Sequence, residues 1–380
     1  MLDDSYFVIT RFYLFCLICY LMKKILLLSD SFNGYGAEHM IGWIGNMLAD
    51  NGYEVIFCSI YDKSKNEKLS SKSNFISLNL DRDTNPLFLI FRYFMFAGIQ
   101  IGNLCRKYDI DIIITFKENP LCIALIAKLF SKVKHIHSER DDPYNRDTIA
   151  SKIKMWLYRF ADHIVFQTIG AQKYFCKKII DKSSIIPNPV VIPDLLWIPE
   201  KAHKTIANVG RLNVRYKRQD LLIRAFASLK EELSDWKLIF YGDGKDRKYL
   251  ESLAKEQNVS EQVIFKGRVE NVIERLVDDG IFVLTSDTEG LPNVLLEAMS
   301  IGMPVVATDC SPGGARTLLS ENNGILVERG NVSEIANAIM KMVENTEFSV
   351  NVSRNARNSV LQYNPQAIYK KWVCVINSID

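Results

Sequence analysis

Two glutamates separated by seven residues lie where a predicted strand is followed by a predicted helix. Glu289 is in the loop after the apolar run 281–286, and Glu297 is within the helix. Carboxylates near the start of a helix can accept hydrogen bonds from ligand hydroxyls, and the free amides of Gly290 and Leu291 can bind an anion. A single acid here would be explained as an ordinary surface residue. The pair within E-G-L-P-N-V-L-L-E predicts a binding site.

Two basic residues follow the end of another predicted strand. Arg211 comes directly after Gly210, which ends the apolar run 205–210, and Lys217 follows in the same segment. Fixed cations beside a diphosphate neutralise the charge that grows on it as a bond to it breaks. Isolated basic residues are usually solvated surface charges. Their position after a strand predicts that Arg211 and Lys217 bind phosphate.

The first half of the chain carries weaker signals of the same kind. The loop 31–40 joins a strand to a helix and contains Gly36, whose amide can approach a phosphate or a sugar. The segment KHIHSERDDP, residues 134–143, is expected to place polar side chains just past a strand end, facing a cleft. A turn with a helix-capping acid explains any one of them equally well. The polar candidates from this half are Lys117, Glu118, His137, Glu139 and Arg140.

Two Asp-x-Asp tripeptides, at 81–83 and 109–111, are candidate metal ligands. Neither follows a strand end with its acids directed into a cleft, so both are interpreted as structural. The Cys-x-x-Cys at 16–19 has no second pair and no histidine at zinc-site spacing. The sequence therefore predicts no metal site and no resident cofactor.

The elements that must position these residues alternate between strand and helix. The predicted strands are continuous apolar runs, which are typical of parallel strands covered by helices on both faces. They lie at 24–30, 54–60, 111–116, 133–138, 163–168 and 184–189, and again at 205–210, 237–244, 263–267, 281–286, 304–309 and 324–328. Four prolines between 187 and 199 indicate a linker. The pattern predicts an α/β protein of two Rossmann-like domains, each a doubly wound parallel sheet, facing a cleft.

The predicted boundaries divide the chain into an apolar extension, two domains and a final helix that crosses back to the first domain. Met22 opens a strand pattern typical of a protein start, so the extension is explained by an over-extended reading frame. A short membrane anchor is the alternative, although the run is short for a span and lacks a cleavage site. The segments are 1–21, 22–192, 193–363 and 364–380.

The glutamate pair and its surroundings resemble the motifs of a known family. The E-x7-E within EGLPNVLLEAM is similar to the hallmark of the retaining glycosyltransferases of family 4 (group 1), which have the GT-B fold. The resemblance extends over nearly the whole chain from Met22. It includes VGRLNVRYKRQDLLIRAF at 209–226, IPNPV at 186–190 and YGDG at 241–244.

The resemblance implies a role for each matching residue. Glu297 holds the ribose hydroxyls of a nucleotide, Glu289 contacts the transferred sugar, and Arg211 and Lys217 bind the diphosphate. Further donor contacts come from Gly36, Gly210, Gly290 and Leu291. The candidates for the acceptor side, taken from their positions after predicted strands of the first half, are Lys117, His137, Glu139 and Arg140.

The implied reaction moves a hexose or N-acetylhexosamine from a nucleotide-diphosphate sugar, with UDP as the expected nucleotide, to a saccharide or polyprenyl-linked acceptor of a bacterial surface polysaccharide. Retention at the anomeric carbon is expected by front-face attack, in which the departing phosphate oxygen takes the acceptor proton.

Two alternative functions stay open. One is a UDP-sugar 2-epimerase of the same fold, against which the E-x7-E argues. The other is a non-catalytic sugar-nucleotide-binding partner subunit, against which the intact Glu289, Arg211 and Lys217 argue.

Charge and composition narrow the partners. The chain has 47 basic and 44 acidic residues, and a net charge of +3 gives no support to nucleic-acid binding. Scattered cysteines in apolar runs are typical of a cytoplasmic protein with reduced thiols. The aromatic stretch 86–107 and the basic stretch 128–135 predict contact with the cytoplasmic face of the inner membrane.

Overall fold

The computed structural model describes residues 23–33, 36–80, 87–320 and 322–379. The extension 1–21, with its Cys-x-x-Cys, and the tripeptide 81–83 lie outside the described residues. Within the described part, parallel strands form a seven-stranded sheet of order β3-β2-β1-β4-β5-β6-β7. Its strands are β1 Lys24–Ser29, β2 Glu54–Ser59, β3 Asn74–Ser77, β4 Ile112–Thr115, β5 Lys134–Ser138, β6 His163–Phe166 and β7 Ser183–Ile185.

A second, six-stranded sheet has the order β10-β9-β8-β11-β12-β13 and is also parallel. Its strands are β8 Thr205–Val209, β9 Lys237–Tyr241, β10 Val263–Gly267, β11 Ile281–Leu284, β12 Val305–Thr308 and β13 Ile325–Val327. In the sequence, the strands of the first sheet all precede the proline-rich segment and those of the second sheet all follow it. In each sheet the strand order reverses beside the first strand, which is where ligands bind in doubly wound folds.

Helices cover both faces of each sheet. Those of the first half are Ala37–Asp50, Leu87–Tyr108, Glu118–Phe130, Ile149–Trp156, Ile169–Lys173 and Lys177–Ile180. Those of the second are Val214–Lys217, Gln219–Ala227, Arg247–Glu256, Val272–Leu276, Asn293–Ser300, Gly314–Leu318, Val332–Glu344, Thr346–Val360 and Pro365–Asn377. Short 3-10 turns lie at Pro143–Asn145, Leu157–Phe160 and Leu361–Tyr363.

The central strands are apolar on both faces because each face packs against helices. Leu26, Leu27 and Leu28 of β1 are all fully buried, and they divide between two hydrophobic clusters on opposite sides of the sheet. Parallel strands of this kind need cover on both sides, which the alternation of strand and helix supplies. The predicted fold, two doubly wound parallel α/β sheets, is confirmed.

The last helix, Pro365–Asn377, packs against the first sheet. Asn364 caps it by accepting a hydrogen bond from the amide of Ala367 at 2.9 Å. Trp372 stacks on Phe116, which follows β4, with ring centroids 5.6 Å apart. The helix thus joins the end of the chain to the first half.

Two histidines of β5 are buried without charge compensation. Thr115 Oγ1 lies 2.8 Å from His135 Nε2 and 2.9 Å from His137 Nδ1. Burial lowers the pKa of His135 to about 3 and that of His137 well below its usual value. Both rings are therefore neutral in the folded protein near neutral pH.

The free energy of unfolding should fall as the pH falls from 7 to 5. The unfolded histidines take up protons near pH ~6.5 whereas the folded ones do not, so acid favours the unfolded chain. Each histidine contributes at most about 1.4 kcal/mol per pH unit in this window. Urea unfolding at both pH values measures the loss. The double variant His135→Gln, His137→Gln should lose less between the two pH values, and an equal loss would contradict the assignment.

Candidate active site

Glu289 and Lys217 meet where the loop after β11 approaches the helix after β8. Their side chains form an ion pair, and Glu289 Oε1 also accepts a hydrogen bond from Ser286 Oγ at 2.8 Å. Thr285 Oγ1 donates to the main-chain oxygen of Lys217 at 3.0 Å, which fixes the helix end to the strand end. The structure thus brings together a carboxylate and a cation that were predicted to share one site.

Arg218 braces the same loop from the other side. It has a left-handed conformation with φ 48°, and its guanidinium contacts Asp287 at 2.9 Å and Asp220 at 3.2 Å. The amide of Asp287 donates to the main-chain oxygen of Tyr216 at 2.8 Å. Sequence reasoning missed Arg218 because it follows Lys217 directly and only the tertiary fold pairs it with Asp287.

Gly210 lies beside the loop that follows β9, and Arg211 next to it is exposed. Gly210 has φ 155°, and Gly242, after β9, has φ 143°. A methyl group built on Gly242 would overlap the main-chain oxygen of Gly210, so the two loops can approach only because Gly242 has no side chain. Among the described residues, no ion-pair partner is found for Arg211. Its guanidinium is therefore available to a ligand at this edge.

Glu297 lies on the helix Asn293–Ser300, partly buried. Burial raises the pKa of its carboxyl to about 7. Across the described ranges, its carboxylate has no hydrogen-bond or ion-pair partner. A partly buried acid without a partner is costly unless a ligand completes it. Leu291 is buried, and within the described chain neither its amide nor that of Gly290 has an acceptor.

The loop that carries Glu289 is in direct contact with the first half of the chain. Thr288 Oγ1 donates to Asp142 Oδ2 at 2.8 Å. A methyl group built on Gly290 would overlap the main-chain oxygen of Arg140 and the amide oxygen of Gln167. We call the contact of residues 288–290 with residues 140–142 the interdomain clasp. Asp142 lies in the S-E-R-D-D-P run, and this run is the sequence signal that could have indicated the interdomain clasp.

Replacing Gly290 with alanine should disturb both stability and turnover. The added methyl group must displace the Arg140 carbonyl or the whole loop, and overpacking of this kind costs about 1–3 kcal/mol. A shift of ~1 Å in a loop that positions substrate can cost about a hundredfold in rate. Urea unfolding and turnover measure the two effects. Gly42→Ala is the control, since a methyl group there meets only Leu69 Cδ2 at an ordinary 3.4 Å. Unchanged turnover in Gly290→Ala would show that the clasp is not tight.

Lys117 and Gly36 lie together at the carboxyl edge of the first sheet. Lys117 forms an ion pair with Glu38 and lies 3.9 Å from Asp30. Gly36 precedes the helix Ala37–Asp50 with φ 62°, and a methyl group there would meet nothing within 4 Å. The two residues thus occupy an open, charged part of this edge.

The expected placement of His137, Glu139 and Arg140 in a cleft is wrong. His137 lies inside β5 and is 1% exposed, and Glu139 is 2% exposed. Glu139 accepts hydrogen bonds from Tyr158 OH at 2.6 Å and Arg146 Nη2 at 2.8 Å. Burial raises the pKa of this carboxyl. Its partners come from later in the chain, so the segment turns inward.

Arg140 is also buried and joins the two halves. Its guanidinium lies 4.4 Å from the ring centroid of Phe116 and 5.6 Å from that of Trp372. It donates to Asn188 Oδ1 at 2.9 Å, and Asn188 in turn donates to Asn293 at the start of the Glu297 helix. Arg140 therefore supports the site from behind instead of lining it.

The tripeptide 109–111 lies at the opposite edge of the first sheet. Asp111 precedes β4, and its carboxylate accepts a hydrogen bond from the amide of Lys24 at 2.7 Å. Asp109 has a left-handed conformation with φ 57°. These contacts are structural. Over the residues that the structure describes, no group of three His, Cys, Asp or Glu side chains is placed to hold a metal ion.

The fold and the site define a class of protein: a GT-B protein, with charged loops at the carboxyl edges of two doubly wound sheets. A family model for glycosyl transferases group 1 matches residues 198–359, and one for glycosyltransferase family 4 matches residues 35–192. The chain belongs to this glycosyltransferase family.

Several known proteins are similar over most of the chain. An N-acetylgalactosaminyltransferase of Campylobacter jejuni, which acts on a diphospho-undecaprenol-linked saccharide, is 30% identical over 86% of this chain and 92% of its own length. The lipopolysaccharide 1,6-galactosyltransferase of Escherichia coli is 24% identical over 80% of this chain and 89% of its own. The crystal structure of Anabaena HepE with UDP superposes with a TM-score of 0.79, at 20% identity, covering 93% and 100% of the two chains.

Proposed function

We propose that this glycosyltransferase moves a hexose or N-acetylhexosamine from a UDP-sugar to a saccharide or polyprenyl-linked acceptor during synthesis of a surface polysaccharide. The observation that carries the proposal is the Lys217–Glu289 ion pair, held by Ser286 at the loop before the Glu297 helix. The glycosyltransferases from Campylobacter and Escherichia support the acceptor class, because their names specify a lipid-linked saccharide and lipopolysaccharide.

The ion pair suggests how the site exchanges partners when a donor binds. A diphosphate carries more negative charge than one carboxylate and takes over Lys217, with Arg211 as a second cation. Glu289 is then free to accept hydrogen bonds from hydroxyls of the transferred sugar. Lys217 and Arg211 stabilise the charge on the departing phosphate, which is largest in the transition state.

We assign Glu297 to binding the nucleotide. Its carboxylate is partly buried and has no partner within the described part of the chain, so two ribose hydroxyls can satisfy it without displacing another group. The amides of Gly290 and Leu291 add donors for a phosphate or sugar oxygen. The nucleotide is expected to be UDP, and the UDP-bound structure of HepE shares this fold.

Retention without an enzyme nucleophile requires the acceptor to attack from the face that the phosphate leaves. The carboxylate nearest the phosphate-binding lysine is Glu289, which already receives hydrogen bonds from Ser286 and Lys217. We assign it to orienting the sugar. Attack on the same face as the leaving group then lets the phosphate oxygen take the acceptor proton. No step requires a metal ion in this scheme.

The product's anomeric configuration tests the mechanism. The enzyme is incubated with α-configured UDP-hexoses and UDP-N-acetylhexosamines and a synthetic polyprenyl-diphosphate saccharide, with EDTA present throughout. Proton NMR should show an α-linked product. A β-linked product would exclude retention, and activity that appears only after magnesium or manganese is added would exclude the metal-free scheme.

A further inference from the structure

A stripe of large apolar side chains is exposed along one helix of the first half. The exposed fractions are 79% for Ile149, 56% for Ile153, 49% for Trp156 and 51% for Phe160. We call these four residues the apolar stripe. Their spacing of four, three and four residues places them on one face of the helix Ile149–Trp156 and the 3-10 turn after it.

The opposite face of the same segment is packed normally. Met155 and Tyr158 are buried in a cluster with Phe175, and the ring of Tyr158 stacks on that of Phe175 at 5.2 Å. The segment is therefore apolar on both sides, and among the residues that the structure describes only one side is covered. Contiguous exposed apolar surface of this kind marks an interaction site.

Basic residues surround the apolar stripe. Lys152 is exposed between stripe residues, and the Arg159 guanidinium lies 4.3 Å from the ring centroid of Trp156. Lys182 Nζ donates to the main-chain oxygen of Arg159 at 2.7 Å, which brings the neighbouring helix Lys177–Ile180 alongside. Residues 146–182 contain eight Lys or Arg and three Asp or Glu. Arg146 and Lys154 pair with Glu118, which lies outside this range. The exposed lysines of the range are Lys152, Lys173, Lys177 and Lys178.

We propose that the apolar stripe is the surface by which this chain binds an anionic phospholipid bilayer. Isoleucine, tryptophan and phenylalanine enter the boundary between headgroups and acyl chains, while Lys152, Arg159 and the lysines beside them meet anionic headgroups. Over the described ranges no helix is long and apolar enough to cross a bilayer.

The position of the apolar stripe relates the proposed membrane contact to the candidate active site. The helix begins at Ile149, shortly after the segment 140–142 that touches the Glu289 loop. Phe160, at the other end of the apolar stripe, lies two residues before Asp162, which bonds the main chain of His135 at the amino end of β5. The bilayer would therefore lie along the side of the first sheet, with the Ile149 end of the apolar stripe nearest to the site. This part of the inference rests on the proposed function, because only a lipid-linked acceptor needs that proximity. The lipid binding itself does not.

Vesicle sedimentation tests the surface. The full chain is mixed with vesicles of phosphatidylcholine alone or with about a third phosphatidylglycerol, and the bound fraction is measured. We expect binding to the anionic vesicles that weakens with salt. The double variant Ile153→Ser, Trp156→Ser should bind these vesicles at least about tenfold more weakly than the unmodified chain. The reason is that the substitutions remove the apolar area that the two side chains would bury in the bilayer.

The control is Tyr249→Ser, Leu361→Ser, which removes two apolar residues of the second half that are 49% and 50% exposed. It should bind vesicles like the unmodified chain. Circular dichroism and donor hydrolysis in solution should be unchanged in both double variants, so a failure of the proposed reaction is distinguished from a failure of membrane binding. The proposal would be overturned if the stripe variant bound the vesicles as well as the unmodified chain, or if the unmodified chain did not bind them. It would also be overturned if the unmodified chain formed a dimer that the stripe variant did not form.

Discussion

Lys217→Ala should lower turnover about a hundredfold or more with little loss of folding stability. The lysine is the only cation paired with Glu289 among the described residues, and it is expected to meet the departing diphosphate. Removing one preorganised group that stabilises transition-state charge typically costs about a hundred- to a thousandfold in turnover. Steady-state release of UDP from a donor measures the effect.

Arg215→Ala is the matched control, since Arg215 lies two residues away and is exposed, with its guanidinium 5.2 Å from the Tyr216 ring centroid. It should retain turnover. Arg211→Ala should lose as much as Lys217→Ala, and Lys217→Arg should not restore activity, because a planar fork and a point charge bind phosphate differently. Equal activity of Lys217→Ala and Arg215→Ala would remove Lys217 from the mechanism.

Glu297→Ala should chiefly weaken nucleotide binding. Losing one charge-assisted hydrogen bond costs about 1.5–3 kcal/mol, or roughly ten- to a hundredfold in affinity. Calorimetry with UDP measures this directly. The control is Glu344→Ala, which removes an exposed glutamate at the end of the helix Val332–Glu344 and should leave the affinity for UDP unchanged. Wild-type affinity in Glu297→Ala would refute the assignment.

The pH dependence of binding gives a second readout for Glu297. Burial raises the pKa of its carboxyl to about 7, so the carboxylate is lost as the pH falls through that value. UDP affinity should therefore fall between pH 8 and pH 6. Glu297→Gln should show a smaller change, since the diphosphate titrates equally in both proteins. Parallel curves would show that another group controls the pH dependence.

The strands could be predicted because most are continuous apolar runs. β1, β4 and β11 are fully or almost fully buried, and their bounds lie within the predicted runs. β3 was missed because it lies at the sheet edge, is only partly buried and alternates poorly in sequence. Local apolar content predicts central strands well and edge strands poorly.

The site was predictable only where its residues follow strand ends in one half of the chain. Glu289 and Lys217 were expected to share a site, and they form an ion pair. The interdomain clasp joins Thr288 to Asp142, which lies in the other half, and no local pattern reveals such a contact. Glu139 was misplaced for the same reason, since Tyr158 and Arg146 enclose it. The roles assigned to the donor residues remain predictions.

The most direct measurement follows both products of one reaction. The enzyme is given UDP-sugars labelled in the sugar, together with a polyprenyl-diphosphate saccharide, and UDP and label are quantified separately. The account predicts that label appears in the lipid fraction in proportion to the UDP released, and that Lys217→Ala loses both. Label that stays on the nucleotide in an epimerised sugar would contradict it. So would a protein that binds UDP but releases none from any donor.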